Sequence, residues 1–122
     1  YADSVATCRR YGLFPPAEDW RGRILLLETS EEQPAPEKYR RMAAALKAAG
    51  VFGAVSGVLV GKPMDEKYQA EYHAILCEVI DDPALPVLAN LNVGHATPRC
   101  ILPFGVPAAV DAEAQTITFA QA

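Results

Sequence analysis

Two side chains able to move a proton stand 67 positions apart in this sequence. Glu28 ends the apolar run Ile24-Leu25-Leu26-Leu27, and His95 follows Gly94 in Asn90-Leu91-Asn92-Val93-Gly94-His95. A carboxylate beside an imidazole accepts a hydrogen bond from one ring nitrogen, fixes the tautomer, and stabilises the imidazolium formed when the other nitrogen takes a proton. Such a pair supplies the acid and the base of a nucleophilic triad and lacks the nucleophile. The nearby hydroxyl and thiol groups, on Thr29, Ser30, Thr97 and Cys100, lie in no Gly-flanked strand-to-helix elbow that would expose them. A nucleophile supplied by another domain is the simpler reading.

For the pair to meet, the chain must bring two strand ends to one edge. Ile24 to Leu27 reads as a strand buried on both faces, followed by a polar loop through Glu31, Glu32 and Pro34. Pro36 suits a first helical position, and Tyr39, Met42, Ala43, Leu46 and Ala49 recur at helical spacing. Ala54 to Val60 predicts a second strand, closed by Gly61 and Lys62. Asp65 is expected to cap a second helix whose stripe is Tyr68, Tyr72, Ile75, Leu76 and Val79. Pro86 to Ala89 opens a third strand, and Ala108 to Val110 with Thr116 to Phe119 predicts a hairpin. Two crossover helices between three strands imply a mainly parallel core sheet in an α/β domain. In such a sheet the loops beyond the carboxyl ends of the strands share one edge, which brings Glu28 and His95 within reach of each other.

The composition fits that architecture. In 122 residues, 51% are hydrophobic and 21% charged, enough for one globular domain with its own core. The net charge of -4, with no run of basic residues, argues against nucleic acid as a partner. No apolar run is long enough for a membrane span, and no segment reads as a signal peptide. Cys8, Cys77 and Cys100 are odd in number and widely spaced, which resembles neither a disulfide framework nor a zinc site and fits a reducing cytosol. No cofactor or metal is expected. Residues 1–19 show no sustained period and read as a linker or the remnant of an upstream region, with the domain occupying 20–122. The chain begins at Tyr1 rather than Met, as expected of a processed product or a piece of a longer protein.

Plainer readings stand beside the chemical one. Glu28 taken alone is equally an ordinary polar end to a buried strand, and a lone loop histidine is more often structural than catalytic. His73 reads as a partly exposed helix residue, and Lys62 as a solvated lysine, although it has the charge to hold a substrate carboxylate. Gly61-Lys62-Pro63 lacks the glycines and the hydroxyl of a phosphate loop. Glu31-Glu32 is read as a wet loop, and Asp81-Asp82 before Pro83 as a helix end with no case for a metal.

Several motifs in order resemble one family. Trp20-Arg21-Gly22-Arg23-Ile24-Leu25-Leu26-Leu27-Glu28-Thr29-Ser30-Glu31-Glu32, Gly57-Val58-Leu59-Val60-Gly61-Lys62-Pro63, Asn92-Val93-Gly94-His95-Ala96-Thr97-Pro98 and Leu102-Pro103-Phe104-Gly105 look like the carboxyl-terminal domain of the LD-carboxypeptidases. That family includes muramoyl-tetrapeptide carboxypeptidases and microcin C immunity peptidases. The resemblance runs from about Trp20 to the end and implies a swivelling β/β/α fold. It also implies a serine peptidase with a Ser-Glu-His triad, in which Glu28 and His95 match the acid and the base. The serine belongs to an amino-terminal domain, the partner that this reading requires. Val93 stands where many members carry phenylalanine.

What the resemblance implies is hydrolysis of the bond before a terminal D-amino acid in a murein tetrapeptide, in the cytoplasm, by a protein of a family in which homodimers are common. Cleavage of a microcin-like nucleotide conjugate is the alternative within the family, and this chain alone is expected to be inactive. A different class of reading is a non-catalytic module that holds a peptide or a partner domain. It predicts an exposed apolar patch involving Leu13, Phe14 or Phe104.

Overall fold

Three short runs rich in branched aliphatic residues pair side by side as a parallel sheet: β1 (Ile24–Leu27), β2 (Gly57–Gly61) and β3 (Val87–Leu91), in the order β1-β2-β3. The structure is a computed structural model that describes residues 2–120; Tyr1, Gln121 and Ala122, at the outer ends of the two expected segments, lie outside the described residues. β2 is central and buried throughout. It pairs Ile24 with Gly57 and Leu27 with Val60 on one side, and Val58 with Val87 and Gly61 with Leu91 on the other. β1 is therefore an edge strand and only half-buried, unlike the two-face burial expected from its composition.

Alternation along the strands separates two faces. Leu25, Leu27, Val58, Val60, Val87 and Ala89 face helices α2 (Pro36–Ala48) and α3 (Gln69–Ile80), which supply Tyr39, Ala43, Leu46, Tyr72, Ile75, Leu76 and Ile80 to the same core. The rings of Tyr39 and Tyr72 stack at 4.3 Å between centroids. Burial pushes the Tyr39 phenol up to about 12, with the nearby Tyr72 phenol and Cys77 thiol adding to the shift. Ile24, Leu26, Leu59 and Leu88 face the other way, toward the antiparallel hairpin of β4 (Ala108–Asp111) and β5 (Thr116–Phe119). Helices, parallel sheet and hairpin thus form three layers, the β/β/α arrangement expected.

Leu76 is 1% exposed at the centre of the helix-facing core. Leu76→Ala removes buried methyl groups and leaves a void, and is expected to lower unfolding free energy by about 2–5 kcal/mol in urea titration.

Several boundaries differ from the sequence expectation. Residues 2–10 form helix α1 (Ala2–Arg10), which places Val5 in buried contact and donates a hydrogen bond from Arg9 Nη1 to the Ala48 carbonyl at the end of α2 (3.1 Å). Val5 is its one large aliphatic residue, so no apolar stripe betrays the helix. Phe14 is packed against Trp20, with ring centroids 5.8 Å apart, and does not join the exposed patch expected of it. Leu13 and Phe104 are exposed.

Asp65 does not cap α3. Met64–Glu66 forms a tight turn, and α3 starts after Tyr68, itself in the left-handed region at φ 59°. The Asp65 carboxylate instead accepts a hydrogen bond from Gln33 Nε2 across the loops (2.9 Å). Asn90 and Leu91 extend β3 beyond the expected Ala89, and β2 starts at Gly57, after a turn over residues 52–54.

Candidate active site

Glu28 and His95 emerge where β1 and the segment after β3 leave the sheet on the same edge. The β2–β3 pairing continues past the strands: the Lys62 N–H donates to the Leu91 carbonyl (2.7 Å), and the Val93 N–H turns back to the same oxygen (2.8 Å). A further bond from the Cys100 N–H to the Asn92 carbonyl (2.7 Å) closes the loop of residues 92–100 at its base. Within it Val93 and Ala96 are buried, each 4% exposed, and act as apolar pegs. His95 lies between them and faces outward.

The two side chains meet. Glu28 Oε2 is 2.9 Å from His95 Nδ1. Two glycines make room for this approach. A Cβ on Gly61 would lie 2.8 Å from the Val93 carbonyl oxygen and 3.1 Å from the Glu28 Cβ, and a Cβ on Gly94 would collide with Glu28 Oε2. Gly94 has φ +91°, so it serves both the turn and the seating of the carboxylate.

The other ring nitrogen is also occupied. Glu31 Oε2 lies 3.0 Å from His95 Nε2, which corrects the expectation that Glu31 is merely part of a wet loop. The loop that carries it is shaped by tertiary contacts. The Tyr72 hydroxyl donates to the Pro34 carbonyl, Gln33 reaches Asp65, and the Gln33 N–H donates to the Ser30 carbonyl (3.2 Å). Glu32 pairs instead with Lys38 at 3.5 Å.

Carboxylates at both nitrogens, one hydrogen-bonded at Nδ1 and one within ion-pair distance of Nε2, favour the protonated ring. Accordingly the His95 pKa is raised, first by its hydrogen bond to Glu28, then by that carboxylate's charge and, more weakly, by Glu31; partial desolvation and Arg99 oppose the shift. Once the ring loses a proton, Glu28 keeps the remaining N–H on Nδ1, and the lone pair on Nε2 faces the Glu31 carboxylate. That contact is repulsive, and Glu31, on an exposed side chain, is free to leave. The nitrogen thereby opens for a hydroxyl donor.

The remaining site expectations fall out as follows. Thr29 is buried and Ser30 half-buried, Thr97 and Cys100 are exposed, and none of the four is among the hydrogen-bond partners of His95. His73 is half-buried on α3, with Nε2 enclosed and without a partner. Lys62 lies 3.6 Å from Glu66 with only 20% of its side chain exposed. Among the described residues no three His, Cys, Asp or Glu side chains gather as metal ligands, and no helix is long and apolar enough to cross a membrane.

Residues 4–110 match the family model described as the LD-carboxypeptidase C-terminal domain, which reaches into the stretch expected to be a linker. The microcin C7 self-immunity protein MccF of Escherichia coli is 30% identical over 105 residues, covering 82% of this chain and 29% of that protein. A Bacillus subtilis protein named "Probable murein peptide carboxypeptidase" is 27% identical over 103 residues, covering 80% of this chain and 32% of the relative. A crystal structure of an MccF-like protein from Streptococcus pneumoniae in complex with AMP has 54% sequence identity and a TM-score of 0.87, covering 98% of this chain and 35% of that one. The chain therefore spans about a third of the length of the relatives it matches. With the family model covering most of its length, the chain belongs to the LD-carboxypeptidase C-terminal domain family.

Proposed function

We propose that this chain contributes Glu28 and His95 to the Ser-Glu-His triad of an amide hydrolase whose serine lies on an amino-terminal domain of the same protein. The observation that carries the reading is the Glu28–His95 contact at the open edge of the sheet, 2.9 Å at Nδ1. The serine Oγ attacks the amide carbonyl carbon while its proton passes to His95 Nε2. The C–N bond of the tetrahedral intermediate then breaks, Nε2 returns the proton to the leaving amine, and water releases the acyl group by the same exchange. Glu28 holds the tautomer and the imidazolium throughout. Alone, the chain lacks the nucleophile and is expected to hydrolyse nothing.

Two substrate classes fit the family. Hydrolysis before the terminal D-amino acid of a murein tetrapeptide is the carboxypeptidase reading. Cleavage of an acyl–nucleotide amide of the microcin type is the second, and the 54% identity to an MccF-like protein favours it. A cytoplasmic location and a homodimer accompany both as expectations from the family. The test is an assay of the full-length protein, and of this chain alone, against both classes. Turnover by the full-length protein only is the expected result. Turnover by this chain alone, or of neither class by the full-length protein, overturns the reading.

The second carboxylate provides a pH test. The raised His95 value favours the charged ring, so the stability contributed by its pairing is fully present below about pH 6.5 and is lost as pH rises through the raised value. In Glu31→Gln the imidazole titration followed by NMR is expected to fall toward, but stay above, about 6.5, because Glu28 supplies the larger share of the shift. In the full-length protein the acidic limb of kcat/KM moves down by the same amount. An unchanged titration removes Glu31 from the account of His95.

A further inference from the structure

Removing a terminal amino acid requires telling its free carboxylate from the next residue of a longer chain. The carbon beside the leaving nitrogen bears that carboxylate, and His95 Nε2 protonates the leaving nitrogen, so the group that reads the anion has to stand close to His95. A nucleotide conjugate puts its phosphate on the same leaving side.

His95 opens onto a depression of about 430 Å³ whose wall also carries Lys62, Asp65, Glu66 and Arg99. Both acids are engaged: Asp65 accepts from Gln33 at 2.9 Å, and Glu66 lies 3.6 Å from Lys62. Lys62 is not the freely solvated lysine expected from the sequence, since four-fifths of its side chain is covered. Arg99 is exposed and has no ion-pair partner among the described residues. Its charge reaches the imidazole, where it opposes protonation. The backbone next to it is held by the bond from Cys100 to Asn92, which fixes where the side chain starts.

We propose that Arg99, backed by Lys62, forms the anion subsite on the leaving-group side of His95 and takes the carboxylate of a terminal amino acid or the phosphate of a nucleotide. The guanidinium presents a planar fork that matches either anion with two parallel N–H donors, while Lys62, on the same wall and already paired with Glu66 at 3.6 Å, takes the smaller share. The inference rests on the amide hydrolase reading above and adds to it the residues that choose the leaving group.

The test uses the full-length protein and matched substrate pairs: a peptide ending in D-alanine against the same peptide ending in D-alaninamide, and an acyl–nucleotide amide against its nucleoside counterpart without phosphate. Arg99→Gln is expected to lower kcat/KM for the preferred anionic member by about ten- to a hundredfold, mainly through KM. The preference for the anionic over the neutral member collapses in step. Arg99→Lys restores part of it, and Lys62→Met weakens it less than Arg99→Gln does. The pair whose preference collapses identifies carboxylate or phosphate as the anion. If wild-type protein turns over its substrates and Arg99→Gln leaves both ratios unchanged, or slows anionic and neutral members equally, the subsite is overturned. If wild type turns over neither class, the hydrolase reading itself fails and takes the subsite with it.

Discussion

Replacing His95 by alanine in the full-length protein is expected to lower kcat by about four to six orders of magnitude, with little change in the thermal midpoint. The size follows from what Nε2 does. In the proposed triad it takes the proton that would otherwise remain on the serine hydroxyl during attack, and without it the nucleophile is a neutral alcohol. The fold does not depend on the imidazole, because His95 stands exposed between the buried pegs Val93 and Ala96. Glu28→Gln keeps the shape at Nδ1 while losing the charge that stabilises the imidazolium, and about four orders of magnitude are expected from that change. Combining His95→Ala with Glu28→Gln should cost little more than His95→Ala alone, since the carboxylate acts only through the ring. Full additivity would show that Glu28 has a separate role, and retained turnover in His95→Ala would remove the histidine from the chemistry.

The architecture of this site is largely legible in the sequence because it is made by strand ends. The apolar run before Glu28, the helical stripe after Pro36 and the second stripe to Val79 fix a strand-helix-strand-helix-strand order. A parallel sheet built that way delivers the residue after β1 and the loop after β3 to one edge whatever the details of the connections. What escapes is set by contacts between loops that are distant in the chain. Glu31 reaches Nε2 because Tyr72 holds Pro34 and Asp65 holds Gln33, and neither bond leaves a periodic trace. Asp65 looks like a helix cap because its residue type favours that role, yet its carboxylate is taken by Gln33 and the helix begins later. Helix α1 escapes for a different reason, since a nine-residue helix resting on one valine carries almost no hydrophobic pattern. The functional consequence is uneven. The proposed base and its orienting acid follow from pattern, whereas Glu31 and Arg99, the groups proposed to tune the base and read the leaving group, follow only from tertiary structure.

Gly94→Ala tests how closely the backbone itself is part of the catalytic geometry. The alanine methyl meets two obstacles. The backbone at φ +91° is one that residues with a Cβ rarely adopt, and the methyl group occupies the place of Glu28 Oε2. The new methyl crowds the base of the side chain as well as its tip, because the Glu28 Cβ lies 3.1 Å from the Cβ position of residue 94. The carboxylate therefore has to rotate away, and the 2.9 Å contact with His95 Nδ1 is lost. In the full-length protein kcat/KM is expected to drop by about three to four orders of magnitude, approaching Glu28→Gln. In this chain the His95 titration falls toward its ordinary value, because the first cause of its elevation is gone. The backbone strain also costs folding stability, about 1–3 kcal/mol, so urea unfolding is followed alongside and activity is compared where the variant is folded. A Gly94→Ala, Glu28→Gln double variant should be no slower than the worse of the two singles, since both remove one interaction. Activity near wild type in Gly94→Ala would show that the carboxylate need not lie where the glycine admits it, and the orienting role of Glu28 would fall.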